Sequence, residues 1–506
     1  MRLASIAVLG GGPGGLYAAR LLKISNPDAR VTVYEQGDPD KTFGFGVGLA
    51  SRTQRNLRLA DEDSLEAIVA ESHPHEMSMK VGDSHVRLAH GELLAIGRAT
   101  LLSVLQRFAK DAGVELKFGK RVTFEDVNAD LIVAADGINS ATRTEMAHEF
   151  GPHVTQGEGL YLWCGTDFAL ESAVFTPATT EHGTFVAHAY PYTDDGSTFL
   201  IETDEQTWRR AGFDVSTKET PFGESDQTSL DYLREAFADP LQGHRLIGNR
   251  TKWTQFRTVR CDSWHTRNIV LLGDAAHTAH YSIGSGTKLA MEDAIVLDRA
   301  LAENDDLDSA FAAYEEARMP AVAHLQAIAE RSMAWWDMFP ERMNLPVEQL
   351  MIAYMTRAGK VSLERFAESA GEVVKAGAAA YAGCALDEVP PPANLNEWAL
   401  GRPSAGRSGR IADTSLRDAD GTTTLEITDR PWSADVSRLL ADLPASSTFW
   451  LTGADDREST LDRLDVAERI RIRSGAVVVV DVPEQFRSDG VAGAVSERVD
   501  LISFTS

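Results

Sequence analysis

The chain has 506 residues, 43% hydrophobic and 25% charged, with 49 basic against 75 acidic side chains and a formal charge of −26 at neutral pH. That length accommodates two or three domains, and the acidic balance argues against nucleic acid or an anionic membrane as partner, since both need a basic face. It does not exclude an anionic small substrate, because screening over about 8 Å lets a local basic pocket act alone.

Met1 leads almost directly into the first strand, leaving no room for a signal peptide, and no apolar run approaches the ~20 residues of a membrane span. Cys164, Cys261 and Cys384 lie far apart and form no CxxC. Neither a disulfide framework nor a metal site is expected, and the compartment reads as cytoplasm. Ser5 to Leu9 is a short apolar run ending in Gly10-Gly11-Gly12-Pro13-Gly14-Gly15, followed by a helical pattern through Lys23. Val31 to Tyr34 makes a second strand, closed by Glu35. This is GxGxxG in the setting where a helix start takes a pyrophosphate and an acid about twenty residues on holds ribose hydroxyls. It predicts a dinucleotide site at Gly10, Gly12, Pro13, Gly14, Gly15 and Glu35; a glycine-rich turn in an unrelated βα unit is the competing reading.

Lys41 to Leu49, which includes Val47, is too glycine-rich for a stable strand and suits a backbone lying close to a ligand; a flexible surface loop is the alternative. Arg98 opens a helical pattern, where the dipole disfavours a cation. Bound phosphate or flavin would supply the reason, unless the arginine is simply exposed. Asp130 to Ala135 is a buried-strand run followed by Asp136-Gly137, common turn chemistry by itself. From about 151 to 260 the pattern turns to alternation, with Leu160–Phe168, Gly183–Tyr190 and Ser197–Thr203 as strands of an antiparallel sheet. Trp163, His188, Tyr190, Tyr192 and Trp253 make it rich in amphipathic aromatics, mostly core, with one or two expected to face a substrate.

The segment from Asn268 to Leu297 organises the rest. An apolar run, Ile269 to Leu272, ends at Gly273-Asp274, and a loop with His277, His280 and Tyr281 leads through Gly284-Ser285-Gly286 into a helix. Free amides at Thr287, Lys288 and Leu289 and about half a positive charge at that helix start suit a ligand that becomes anionic, as a reduced flavin does. Asp274 can accept hydrogen bonds from a sugar-alcohol chain. Helical periodicity continues from Leu307 to about Gly377. Residues 386–410, with Pro390-Pro391-Pro392, read as a linker, and strands and helices alternate beyond it in a small α/β domain without CxxC or a phosphate loop.

Together GGGPGG with Glu35, Asp136-Gly137 with Ser140 and Arg143, and Gly273-Asp274 with Gly284 and Gly286 resemble the single-component FAD-dependent aromatic hydroxylases of the para-hydroxybenzoate hydroxylase fold over about residues 1–380. Phe185–Tyr190, Tyr281–Lys288 and Ala334–Phe339 are most similar to salicylyl-CoA 5-hydroxylases, the hydroxylase half of anthraniloyl-CoA monooxygenases and violacein-pathway hydroxylases. The resemblance implies an α/β fold. A Rossmann-like FAD-binding domain (1–150 and 261–385, with a helical extension) is interrupted by an antiparallel sheet substrate domain (151–260). The linker then precedes a thioredoxin-like domain at 411–506. It also implies that Asp274 contacts the flavin ribityl chain, that Asp136 lies near pyrophosphate and transient NAD(P)H, and that Arg98 contacts FAD.

The implied reaction is NAD(P)H- and O2-dependent hydroxylation of an electron-rich aromatic ring through a flavin C4a-hydroperoxide, by a monomer or homodimer. His277, His280 and Tyr281 are the acid–base candidates, with structural hydrogen bonding the competing role; Trp163, His188, Tyr190 and Ser282 are the substrate-side candidates. The sequence departs from the family pattern at Ser282, where a proline commonly lies, and at Thr287-Lys288, in place of an asparagine-containing turn. Lys288 is placed for a substrate carboxylate, a thioester oxygen or the reduced flavin, or is paired with Glu292 one turn on. The substrate stays open among a CoA thioester, a free aromatic acid, and an indole- or tropolone-type compound. A non-catalytic flavoprotein that shelters an intermediate is the rival reading.

Overall fold

The computed structural model describes residues 1–39, 42, 44–49, 51–284 and 286–505, apart from the side chains of 51, 52 and 90–92. Lys41 and Phe43 of the glycine-rich stretch and Ser285 of the helix entry lie outside the described residues. The chain divides into two compact units, 1–77 with 90–333, and 78–89 with 334–506.

The first unit is built on a six-stranded sheet in the order His265–Thr266, Ile269–Leu271, Leu131–Ala134, Ser5–Leu9, Arg30–Tyr34, Glu115–Lys117. All neighbours are parallel except the first pair. A parallel sheet is covered on both faces, so its central strands are continuous apolar runs, and Leu131–Ala134 and Ile269–Leu271 are buried throughout. This order has a direct consequence. The strands preceding the three glycine motifs are adjacent and point the same way, so Gly10, Asp136 and Asp274 emerge side by side at one edge.

Helix Pro13–Ser25 packs against helix Gly286–Glu303. A side chain at Gly14 would come within 2.8 Å of both Ala290 and Leu272, and one at Gly15 within 2.1 Å of the Gly10 carbonyl. Gly10 has φ +107, and a β-carbon there would meet the Ala135 carbonyl at 2.2 Å. Only glycine can hold that backbone so close to the neighbouring motif.

The second sheet has Leu246–Ile247, Pro152–Thr166, Gly196–Thr203, Gly183–Thr193, Ala173–Thr180, His73–Val81, Ser84–Gly97 and Gly46–Leu49 in order, with Thr254–Cys261 paired to Pro152–Thr166. It is larger than the expected 151–260 segment, because strands from 46–49, 73–81 and 84–97 join it. Gly46–Leu49 is a strand although its glycines argue against one; pairing with Ser84–Gly97 holds it in place. One face carries Leu160, Leu162, Cys164, Phe185, Ala187, Phe199 and Ile201, which form a core with Phe213, Leu230, Leu233 and Phe237 of short helices between 205 and 241. The opposite face is polar and aromatic.

The second unit differs from expectation. The helices after 334 group with the tail and not with the FAD-binding domain. Residues 386–410 include helix Leu395–Leu400, with Leu395, Ala399 and Leu400 buried, so this stretch is packed and not an open linker. The tail has four strands, Thr422–Glu426, Thr448–Thr452, Val477–Pro483 and Leu501–Thr505, all parallel and in chain order. The α/β class is as expected, but the thioredoxin-like label is corrected: every crossover runs the same way, which leaves no antiparallel strand in this sheet among the described residues. Glu468 is bound by the Arg342 guanidinium at 2.8 and 2.6 Å, all of it buried.

Candidate active site

The three motifs are tied to one another by Arg143. Ser140 caps the short helix carrying it, accepting from the Arg143 amide at 2.9 Å. The guanidinium then donates to the carbonyls of Ile138 at 2.6 Å, Ala275 at 2.8 Å and Asp274 at 3.2 Å. Burial holds Arg143 below the usual arginine range, which is tolerable because those carbonyls take its protons. The Asp136 carboxylate accepts through Oδ2 from the Thr142 amide and hydroxyl, both at 3.1 Å, while Oδ1 is buried with no hydrogen-bond partner. Glu35 accepts from the amides of Gly11 and Gly37, each at 2.7 Å. That clamp aims the carboxylate at the turn beside the helix start.

The Asp274 side chain is exposed to solvent, although protein atoms crowd round it. Burial pushes its carboxyl up, against the pull of His277 and Arg98. Arg98, first residue of helix Arg98–Asp111, has a buried Nε with no hydrogen-bond partner, and burial lowers its pKa. It lines a cavity of about 560 Å³ with Phe45, Gly97, Thr100, Tyr192 and Asn249. A buried cation and a buried carboxylate oxygen without partners cost free energy unless a ligand meets them. A β-carbon at Gly12, Gly137, Gly284 or Gly286 would meet nothing within 4 Å. These orphaned atoms and open glycines, gathered at one edge of the sheet, fit a dinucleotide ligand.

The loop after Asp274 separates the candidate histidines. His277 is 2% exposed; its Nε2 lies 2.8 Å from Asp293, which also accepts from the Gly273 amide at 3.0 Å and Arg318 Nε at 2.7 Å. Burial pushes Asp293 up, but His277 and Arg318 outweigh it and hold the carboxyl low. This geometry fits an anchor for the strand–loop junction, made through the Asp293 carboxylate and not through a hydrogen bond to backbone. His280 and Tyr281 instead lie over the polar face of the second sheet. His280 Nδ1 is 2.9 Å from Ser282 Oγ, which donates to Ser332 at 2.8 Å. The Tyr281 ring lies 4.8 Å from that of Tyr161, tilted by 59°, and His280 meets Phe256 edge-on at 4.9 Å.

Strand register explains that face. Directly opposed residues of an antiparallel pair share a side, so Tyr161 with Glu202, and Trp163 with Leu200 and His188, all point away from the helix-covered core. Tyr190 lies on the same side, its hydroxyl donating to the Gly46 carbonyl at 2.7 Å. The glycine-rich stretch is therefore pressed onto side chains: a β-carbon at Gly46 would strike Tyr192 at 2.6 Å, and one at Gly44 Trp163 at 2.9 Å. Val47 pairs with Ile96 and packs against the first core. Lys288 Nζ is 3.9 Å from Glu292, the ion pair weighed against a ligand role. Glu202 was missed. Its signal was available: in a strand reading Phe199, Ile201 inward, it falls on the alternate face with His188.

Comparison with known proteins identifies the family. A family model described as an FAD binding domain matches residues 89–329. The 3-hydroxy-4-methyl-anthranilyl-[aryl-carrier protein] 5-monooxygenase of Streptosporangium sibiricum is 38% identical over 372 residues, covering 73% of this chain and 98% of that enzyme. The chain belongs to the FAD-dependent aromatic monooxygenases. The salicyloyl-CoA 5-hydroxylase of a Streptomyces species is 42% identical over 338 residues, 66% of this monooxygenase and 65% of that one, so the match spans under two thirds of that relative. The protodeoxyviolaceinate monooxygenase of Chromobacterium violaceum is 29% identical over 367 residues, 70% of this chain and 94% of its own. Among solved structures, 2-methyl-3-hydroxypyridine-5-carboxylic acid oxygenase shares the fold of this monooxygenase, with TM-score 0.53 at 18% identity over 74% of this chain and 97% of its own. Among the described residues no helix is long and apolar enough to cross a membrane, and no cluster of side chains could hold a metal ion.

Proposed function

We propose that this chain hydroxylates an electron-rich aromatic ring delivered as an acyl thioester, using NAD(P)H and O2. The observation that carries the reading is the polar aromatic face, Tyr161, Trp163, His188, Tyr190 and Glu202, covered by the same loop that begins at Asp274. The two relatives named for salicyloyl-CoA and for an anthranilyl carrier protein support the thioester class.

FAD, when bound, would supply the redox chemistry, carrying two electrons from NAD(P)H to O2, of which one oxygen atom enters the ring and the other leaves as water. The protein's part is positioning and charge. Gly12 and Arg98 would hold the diphosphate end, and Asp274 would accept from the ribityl hydroxyls. The helix start at Gly286–Lys288 would favour negative charge gained by the cofactor. Trp163, His188 and Tyr190 orient the substrate ring, and Tyr281 with Ser282 closes over it to exclude water. Cys164, Cys261 and Cys384, all free thiols, suit the reducing cytoplasm.

The test is anaerobic stopped-flow reduction of the flavin-loaded protein by NADPH and NADH, with salicylyl-CoA, free salicylate or no addition. The expected result is reduction accelerated by the thioester, followed by hydroxylated product in air. Acceleration by the free acid alone would refute the thioester class, and no acceleration by any aromatic would favour a sheltering flavoprotein. Unchanged turnover in His280→Ala would discard His280 as an acid–base group.

A further inference from the structure

The least expected group on the sheet face is a carboxylate. Glu202 is 13% exposed at its side chain and His188 10%, with Glu202 Oε2 3.3 Å from His188 Nε2. They are diagonal neighbours on adjacent strands, since His188 stands opposite Leu200 and Glu202 opposite Val186. Tyr161 stands opposite Glu202 on the other side. The Tyr281 hydroxyl also donates to the Glu202 carboxylate, and the ring of Tyr281 is 6.4 Å from that of His188. Glu202 Oε1 is buried with no hydrogen-bond partner.

Burial alone would push the Glu202 carboxyl up; the charges of His188 and His280 and the Tyr281 hydrogen bond outweigh it and hold the group below the ordinary carboxylate range. The other ionisable groups around it are Tyr161, which burial pushes up, and Arg257 and Asp274, whose charges reach Tyr161. This face of the sheet thus holds an acceptor with an unused lone pair, set among rings. An aliphatic or amide side chain would pack there at less cost, because a buried carboxylate oxygen left unpaired is expensive. A donor arriving with the ligand removes that cost.

We propose that Glu202 is a substrate-recognition residue, accepting through Oε1 a hydrogen bond from a hydroxyl or amino group on the aromatic ring, with His188 and Tyr281 aiming the carboxylate. The inference rests on the aromatic-substrate reading above and deepens it: the enzyme selects rings that carry a donor substituent. A site that hydrogen-bonds a substrate group rejects the analogue lacking it far more strongly than an apolar pocket rejects a missing methylene.

The experiment uses the full-length, flavin-loaded protein and measures dissociation constants of salicylyl-CoA and its 2-methoxy analogue from the perturbation of flavin absorbance. Wild type is expected to prefer the hydroxyl compound by about 10- to 100-fold, the range of one hydrogen bond to a charged acceptor. Glu202→Leu is expected to lose that preference by binding the hydroxyl compound more weakly and the methoxy analogue equally, with unchanged FAD content and an unfolding midpoint no lower than that of wild type; Glu202→Gln, which keeps a neutral acceptor, should lose the preference only in part. Tyr281→Phe, which leaves the carboxylate in place, should reduce the preference only in part. Preference retained in Glu202→Leu, or equal weakening for both compounds, overturns the inference while leaving the function standing. If no aromatic stimulates flavin reduction even in wild type, both readings fall.

Discussion

Asp293→Asn offers the sharpest test of how the site is supported. The carboxylate is fully buried and receives the Gly273 amide, His277 and Arg318, at 3.0, 2.8 and 2.7 Å. An amide of the same shape keeps one acceptor but turns a donor toward two donors, and removes the charge that balances a guanidinium 5% exposed. Breaking a buried pair from one side costs about 3–5 kcal/mol. Glu292, 3.6 Å from Arg318, remains as a partial counter-charge, so the lower end applies. About 3 kcal/mol corresponds to a fall of roughly 4–5 °C in the midpoint of a unit this size. The assay is thermal unfolding at pH 7.5, followed by circular dichroism and by flavin fluorescence. The sign with pH follows from linkage: the carboxyl is held low in the folded state, so its stabilisation is complete above its unfolded pKa of about 3.9 and is lost as pH falls through the folded value. The gap between wild type and variant must therefore narrow in acid. A midpoint change below about 1 °C at pH 7.5, under roughly 1 kcal/mol, would refute the anchoring role given to Asp293 and His277.

Other perturbations separate holding the cofactor from holding the fold. Arg98→Met should weaken FAD binding by about 10- to 100-fold yet raise the midpoint of the FAD-free protein, because it removes a buried, unpaired Nε; fluorescence titration and unfolding of the stripped protein check the two signs. Gly15→Ala places a β-carbon 2.1 Å from the Gly10 carbonyl and should lower the midpoint, whereas Gly12→Ala meets nothing and should lose flavin absorbance with the midpoint of the stripped protein intact. Glu468→Gln leaves buried Arg342 without its counter-charge, a loss of about 3–5 kcal/mol expected as earlier proteolysis of the second unit.

Much of this protein could be read without coordinates, for identifiable physical reasons. The parallel strands bury both faces and so appear as unbroken apolar runs at Ser5–Leu9, Leu131–Ala134 and Ile269–Leu271, each followed by residues that only a tight turn requires. Those local demands made the cofactor class legible. What the chain order could not convey was adjacency. That three distant turns share one edge follows from the strand order, and that Gly14 serves the approach of Ala290 and Leu272 follows from helix packing. The fates of His277 and His280, three residues apart, were likewise decided in three dimensions: one turns inward to Asp293, the other outward over the sheet. Glu202 shows the same limit most clearly, since its partners His188, Tyr161 and Tyr281 come from two other strands and a distant loop. A charge's meaning depends on what faces it across the sheet, and that is set by register and burial rather than by its neighbours in the chain.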